Sequence, residues 1–107
     1  DAATRQAGLG VASLQQRVGQ PALGVADRVR FLGFVSRDKV RSLLQSCGVY
    51  VMPSANEAIC LAVLEAMACG ASVVLTRIRA FEQIVTDGVN GRLVPVGDVN
   101  AISGAIQ

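Results

Sequence analysis

Residues 49–75 read VYVMPSANEAICLAVLEAMACGASVVL, and this stretch decides the fold. Val49 to Met52 is a continuous apolar run stopped by Pro53, and Ser72 to Leu75 is a second short run of the same kind. Strands that are apolar at successive positions are buried on both faces, as the strands of a parallel sheet are. Parallel neighbours need a crossover connection, usually a helix. The intervening residues supply one, from about Cys60 to Cys69, closed by Gly70 as its carboxyl cap.

The alternation continues outward from this unit. Val29 to Leu32 predicts a strand ended by Gly33, after which Ser36 caps a helix running to about Cys47. Its apolar positions Val40, Leu43, Leu44 and Cys47 have helical spacing. Beyond Leu75, Phe81, Ile84 and Val85 mark a short helix ending at Asp87-Gly88. Asn90-Gly91 then turns the chain into a brief strand, Arg92 to Val94, and Asp98 caps a last helix with Val99, Ile102 and Ile106 inward. At the other end, Thr4 to Val18 carries an amphipathic stripe of Ala7, Val11, Leu14 and Val18, and Gly19 to Asp27 reads as a loop. The expected class is α/β: an incomplete doubly wound, Rossmann-like parallel sheet with helices on both faces. Ligands of such sheets bind beyond the carboxyl ends of the strands, which directs attention to the loops after Leu32, Met52 and Leu75.

Composition narrows the chemistry. A chain of 107 residues that is 51% hydrophobic and 17% charged is a folded domain, not a disordered tail. Mean hydropathy is high at +0.46, yet no apolar run approaches the roughly 18–20 residues of a membrane span, so no transmembrane segment is expected. Histidine is absent. Ser-His-Asp and Cys-His nucleophilic sites, two-His zinc motifs and a histidine base are therefore excluded, and no metal site is expected. Cys47, Cys60 and Cys69 have no CxxC spacing and are odd in number. They are expected to be reduced, structural thiols in a cytoplasmic protein. Net charge is +2, from ten basic and eight acidic residues dispersed along the chain. With one Tyr and three Phe there is no stacking platform, and nucleic acid is not an expected partner.

The helix after Met52 holds the candidate site. Leu61, Ala62, Val63, Leu64, Ala66, Met67 and Ala68 make it hydrophobic nearly all round, predicting burial, with Glu65 as its one charge. Glu57 precedes Glu65 by eight residues. No Ser, Thr, Asp or Asn stands at the helix start, so its first amides and the helix dipole suit an anion such as phosphate. Glu65, about a turn along, then suits two hydroxyls, as a ribose diol offers. An ion pair from Glu65 to Arg77 or Arg79 explains the same residue equally well, and Glu57 alone fits a solvated loop.

These residues carry a resemblance. Arg28 to Val35 (RVRFLGFV), Val49 to Ser54 (VYVMPS), Glu57-x7-Glu65, Leu64 to Gly70 (LEAMACG), Glu82 to Val85 (EQIV), Asp87 to Pro95 (DGVNGRLVP) and Gly97-Asp98 follow one another in order. Together they resemble the carboxyl-terminal, donor-binding part of a group 1 (family 4) glycosyltransferase of the GT-B fold, over about three quarters of the chain. The resemblance implies sugar transfer from a nucleotide diphosphate donor, UDP- or GDP-linked, with retention of anomeric configuration and without a further cofactor. Glu57 would act as the catalytic-site contact to the donor sugar, and Glu65 would hold the ribose. Backbone amides at Cys60, Leu61 and Ala62 would hold the diphosphate, with Arg77 and Arg79 as further diphosphate contacts. The backbone of Gly33, Phe34 and Val35 would face the base.

The chain departs from that pattern in places. Ala58 and Cys60 stand where the family has glycines, and Arg79-Ala80 replaces a Gly-Gly pair. By the same resemblance, residues 1–107 are read as a partial donor-binding domain. Its first two strands, with their diphosphate-binding Arg and Lys, and the acceptor domain are absent, so the piece alone is expected to be inactive. Those two strands would sit beside Val49 to Met52. That edge is accordingly expected to pair with Val29 to Leu32, or to be covered by the remainder of the enzyme or by a second copy. Contact with the inner membrane surface would come only through the amino-terminal domain. Two other readings stay open: a non-catalytic nucleotide or nucleotide-sugar binding module, and a ligand-free interaction fragment.

Overall fold

Ser36 opens the larger of two units, residues 36–107, and the described residues before it, 15–35, belong to the other. The computed structural model of the chain describes residues 15–107. In the larger unit the Ser36 hydroxyl accepts from the Lys39 amide at 3.2 Å, capping helix α1 (Arg37–Ser46). Strand β1 (Val49–Met52) follows, then helix α2 (Leu61–Ala68), strand β2 (Ser72–Thr76), a single turn of helix α3 (Arg79–Glu82), strand β3 (Arg92–Val94) and helix α4 (Val99–Ile106). Gly70 ends α2 with a left-handed backbone (φ 87°). Its amide donates to Met67 and the Ala71 amide to Ala66, the paired bonds that satisfy a helix's last carbonyls. Asp98 caps α4, its Oδ1 accepting from the Ala101 amide at 2.9 Å.

Among the described residues the sheet has the order β1-β2-β3, parallel throughout. Val51 lies opposite Val74, and Leu75 opposite Leu93. The core forms where Val73 and Leu75 of β2 and Leu93 of β3 meet Val63 and Ala66 of α2, Phe81, Val85 and Leu44. Side chains alternate along a strand, so Val74, also buried, points to the opposite face, and α4 packs against β2 and β3. The α/β class and parallel sheet expected from the apolar runs are therefore present. All four residues of β1, an outer strand of the described sheet, are half-buried.

Two expectations change. Val29 to Leu32 is not a strand: Val29 is extended (φ −122°, ψ 130°), but the stretch joins no ladder, and an extended run without a neighbour has nothing to bond. In α4, Val99 and Ile106 point outward, while Ala101, Ile102 and Ala105 form the half-buried face. The two outer residues lie at the margins of that stripe. The expected helix from Thr4 to Val18 lies outside the described residues up to residue 14, and residues 15–18 are helical.

The turn into β3 is tightly fitted. Asn90 bonds both ways, its Oδ1 accepting from the Thr86 amide at 2.7 Å and its Nδ2 donating to the Ile84 carbonyl at 3.0 Å. Gly91 lies so close beneath β2 that a Cβ there would stand 2.7 Å from Val73 Cγ2 and 3.0 Å from Val85 Cγ1. Glycine is needed here for space. Gly91→Ala is expected to destabilise the fold by about 1–3 kcal/mol, the usual cost of overpacking a core, read as a lower denaturation midpoint. An unchanged midpoint would contradict this packing.

Candidate functional site

The site is built at the carboxyl ends of β1 and β2. Pro53 ends β1, and residues 53–60 lead into α2. Glu57 is half-buried in this loop, and its Oε1 accepts a hydrogen bond from the Ser54 hydroxyl at 3.0 Å. The Ser54 carbonyl in turn accepts from the hydroxyl of Thr76, the last residue of β2. Cys60 stands at the amino cap of α2 with an extended backbone (φ −112°, ψ 94°) and provides no side-chain hydrogen bond. The first turn of α2, with Leu61 and Ala62, thus begins without the side-chain acceptor that most helix starts have.

Glu65 is corrected in one respect. It is exposed, whereas a buried carboxylate was expected. Helix α2 buries Val63 and Ala66 and exposes Leu61, Leu64 and Glu65, so it has one inward face and not an apolar surround. The ion-pair explanation also fails: among the described residues Glu65 has no basic partner, and Arg77 bonds Asp87 instead at 3.4 Å. That pair is half-exposed and so contributes little to stability. Asp87 also accepts from the Leu93 amide at 3.0 Å, holding the start of β3. Arg79 is the exposed first residue of α3. In the other unit, Gly33 has a left-handed backbone (φ 63°), Val35 is exposed and the Phe34 side chain stands wholly in solvent.

Tyr50, on β1, is half-buried. Burial, and after it the proximity of Cys60, Glu65 and Glu57, raises its phenol above the usual tyrosine range. Sequence reading missed Tyr50, Ser54 and Thr76. The only local hint was a single hydroxyl ending each strand-and-loop segment. Cys47, Cys60 and Cys69 are all half-buried free thiols. A cavity of about 480 Å³ lies elsewhere, at the amino ends of the strands beside Val49, Ser72 and Arg92. Its lining holds no carboxylate, and ligands of a parallel sheet bind at the opposite, carboxyl end of the strands. No described helix is long and apolar enough to cross a membrane.

Comparison with known proteins places the chain in a family. Residues 3–107 match the family described as glycosyl transferases group 1. A lipopolysaccharide core biosynthesis glycosyltransferase of Rhizobium meliloti is 39% identical over 85 residues, covering 79% of this chain and 24% of the relative. A 2-deoxystreptamine N-acetyl-D-glucosaminyltransferase of Streptomyces fradiae is 38% identical over 91 residues, 85% of this chain and 22% of its own length. A phosphatidyl-myo-inositol mannosyltransferase of Mycobacterium leprae is 33% identical over 93 residues, 86% of this chain and 25% of its own length. The chain thus spans about a quarter of the length of the curated relatives it matches. With a family match over nearly its whole length and a parallel α/β sheet to carry it, the chain belongs to the group 1 glycosyltransferases.

Proposed function

We propose that this chain is the donor-binding part of a retaining glycosyltransferase that moves a sugar from a nucleotide diphosphate donor, UDP- or GDP-linked, to an acceptor. The observation that carries the reading is the uncapped start of α2, with Glu57 in the loop before it and Glu65 exposed about a turn along the helix. The amides at Cys60, Leu61 and Ala62 bind the diphosphate and stabilise the charge it gains as the glycosidic bond breaks, a task for oriented dipoles. Arg77 exchanges its weak surface partner Asp87 for the same phosphates, and Arg79 adds positive charge. Glu65, exposed and unpaired among the described residues, accepts the two ribose hydroxyls. Glu57 accepts hydroxyls of the donor sugar near the reacting carbon. The backbone of Gly33, Phe34 and Val35 faces the base.

The acceptor is held by a separate domain, and transfer by this chain alone is not expected. The outer edge of β1 is covered by the rest of the enzyme or by a second copy, in a cytoplasmic protein that meets the membrane only through its acceptor domain. A second reading, a non-catalytic nucleotide-sugar binding module, is favoured by Ala58 and Cys60 at positions where the family has glycine.

Calorimetric titration of UDP and GDP separates the roles. Glu65→Ala is expected to weaken the bound nucleotide by about tenfold or more, since it removes hydrogen bonds to a charged acceptor. Equal affinity in both proteins rules out the ribose role. Glu57→Ala is expected to lower kcat of the full-length protein about a hundredfold with nucleotide affinity little changed, as a contact strengthened in the transition state requires. Turnover at the wild-type rate would remove Glu57 from the reaction, and nucleotide binding without any turnover in the unaltered full-length protein would favour the binding module.

The electrostatics give a third check. Tyr50 is the chain's one tyrosine and there is no tryptophan, so tyrosinate absorbance reports this residue alone. Its titration midpoint is expected above the ordinary value of about 10 and lower in Glu65→Gln. The folded chain keeps a proton that the unfolded chain releases, so stability is lost as pH rises through that range. An unshifted midpoint would separate the acids from the ring.

A further inference from the structure

We propose that Ser54 and Thr76 are positioning residues for Glu57, acting through two hydrogen bonds in series from the buried end of β2 to the carboxylate. The proposal rests on the reading of Glu57 as the donor-sugar contact. Thr76 follows Val73, Val74 and Leu75 in the central strand and is wholly buried, at 0% exposure. A hydroxyl there must find a protein acceptor or carry the full cost of desolvation. It finds one in the carbonyl of Ser54, twenty-two residues away in sequence. Nothing in the packing of β2 requires a hydroxyl here, since valine has the same shape.

That bond fixes the backbone two residues past the end of β1. From there the Ser54 hydroxyl donates to Glu57 Oε1 at 3.0 Å. Direction matters along this series. The Thr76 and Ser54 hydroxyls both act as donors, and the acceptors are a carbonyl and a carboxylate oxygen, which can only accept when ionised. Among the described residues Oε2 has no protein donor, which leaves it to meet a ligand hydroxyl. A glutamate in an irregular loop has several rotamers. Holding one oxygen selects among them before substrate arrives, and displacement of a reacting group by about 1 Å can cost about a hundredfold in rate.

The test uses the full-length protein, with UDP-glucose, UDP-N-acetylglucosamine and GDP-mannose as donors. It follows kcat, donor KM and thermal midpoint for Glu57→Gln, Ser54→Ala, Thr76→Val and Thr76→Ser. Ser54→Ala and Thr76→Val are expected to lower kcat about tenfold or more while donor KM changes little. Thr76→Ser, which keeps the hydroxyl, is expected to restore kcat. Adding Ser54→Ala to Glu57→Gln is expected to cost almost nothing further, because residues acting through one another are not additive. Wild-type kcat in Ser54→Ala and Thr76→Val beside a damaged Glu57→Gln overturns the proposal alone. So does a fully additive double variant, a thermal midpoint that falls without loss of kcat, or a crystal structure of Ser54→Ala with Glu57 unmoved. Wild-type kcat in Glu57→Gln itself overturns the underlying reading, and with it the proposal.

Discussion

Strand β2 is hydrogen-bonded along both edges and buried from Val73 to Thr76, and the rest of the larger unit is arranged around it. Its odd and even residues have separate tasks. Val73 and Leu75 meet Val63 and Ala66 of α2 and Phe81 in the main core, and Val74 faces the opposite layer. A strand placed this way allows no register slip, because a shift of one residue would exchange its two buried faces. The same rigidity reaches the carboxyl end of the strand. There Thr76 has nowhere to send its hydroxyl except the loop that carries Glu57. The most buried strand of the described sheet thus also anchors the loop that carries Glu57.

Helix α2 shows how one element serves packing and site together. Val63 and Ala66, spaced three apart, turn inward and leave Leu61, Leu64 and Glu65 on the outer surface. Orientation by the core therefore decides which side chains of α2 face outward. The Gly70 stop secures the other end of the helix, so the start at Cys60 is placed by the whole of β1, α2 and β2. A phosphate bound there would meet amides already aligned, as electrostatic stabilisation of a leaving group requires.

The sequence was legible where the signal is local. The apolar runs at Val49 and Ser72, the cap at Ser36 and the cap at Asp98 each depend on residues within a few positions, and each is present in the fold. Reading failed where the answer lies in a partner. Val29 to Leu32 has strand composition, but a ladder needs a neighbouring strand that composition does not supply. Glu65 looked buried because its helix neighbours are apolar, yet exposure depends on what covers the helix. The bond from Thr76 to Ser54 joins residues twenty-two apart, beyond the reach of any local pattern. Glu57 and Glu65 were found by spacing and resemblance; the residues that orient and sense them required the fold.

The two missing glycines can be weighed on the same terms. Glycine is needed either for a left-handed backbone or for close approach of another group. Among the described residues no non-glycine has positive φ, so Ala58 and Cys60 are held without backbone strain. Cys60, at φ −112°, has a conformation any residue adopts. Gly91 shows the contrasting case, in which the protein itself fills the space a side chain would need. At Ala58 and Cys60 the added atoms therefore act on the volume beside the helix start and not on the path of the chain. On the proposed reading, a methyl and a thiol at the mouth of the donor site would change which sugar fits against Glu57, while the amides and Glu65, proposed to meet the diphosphate and ribose, would keep their positions. The substitutions would then bear on selectivity for the sugar before they bear on binding of the nucleotide.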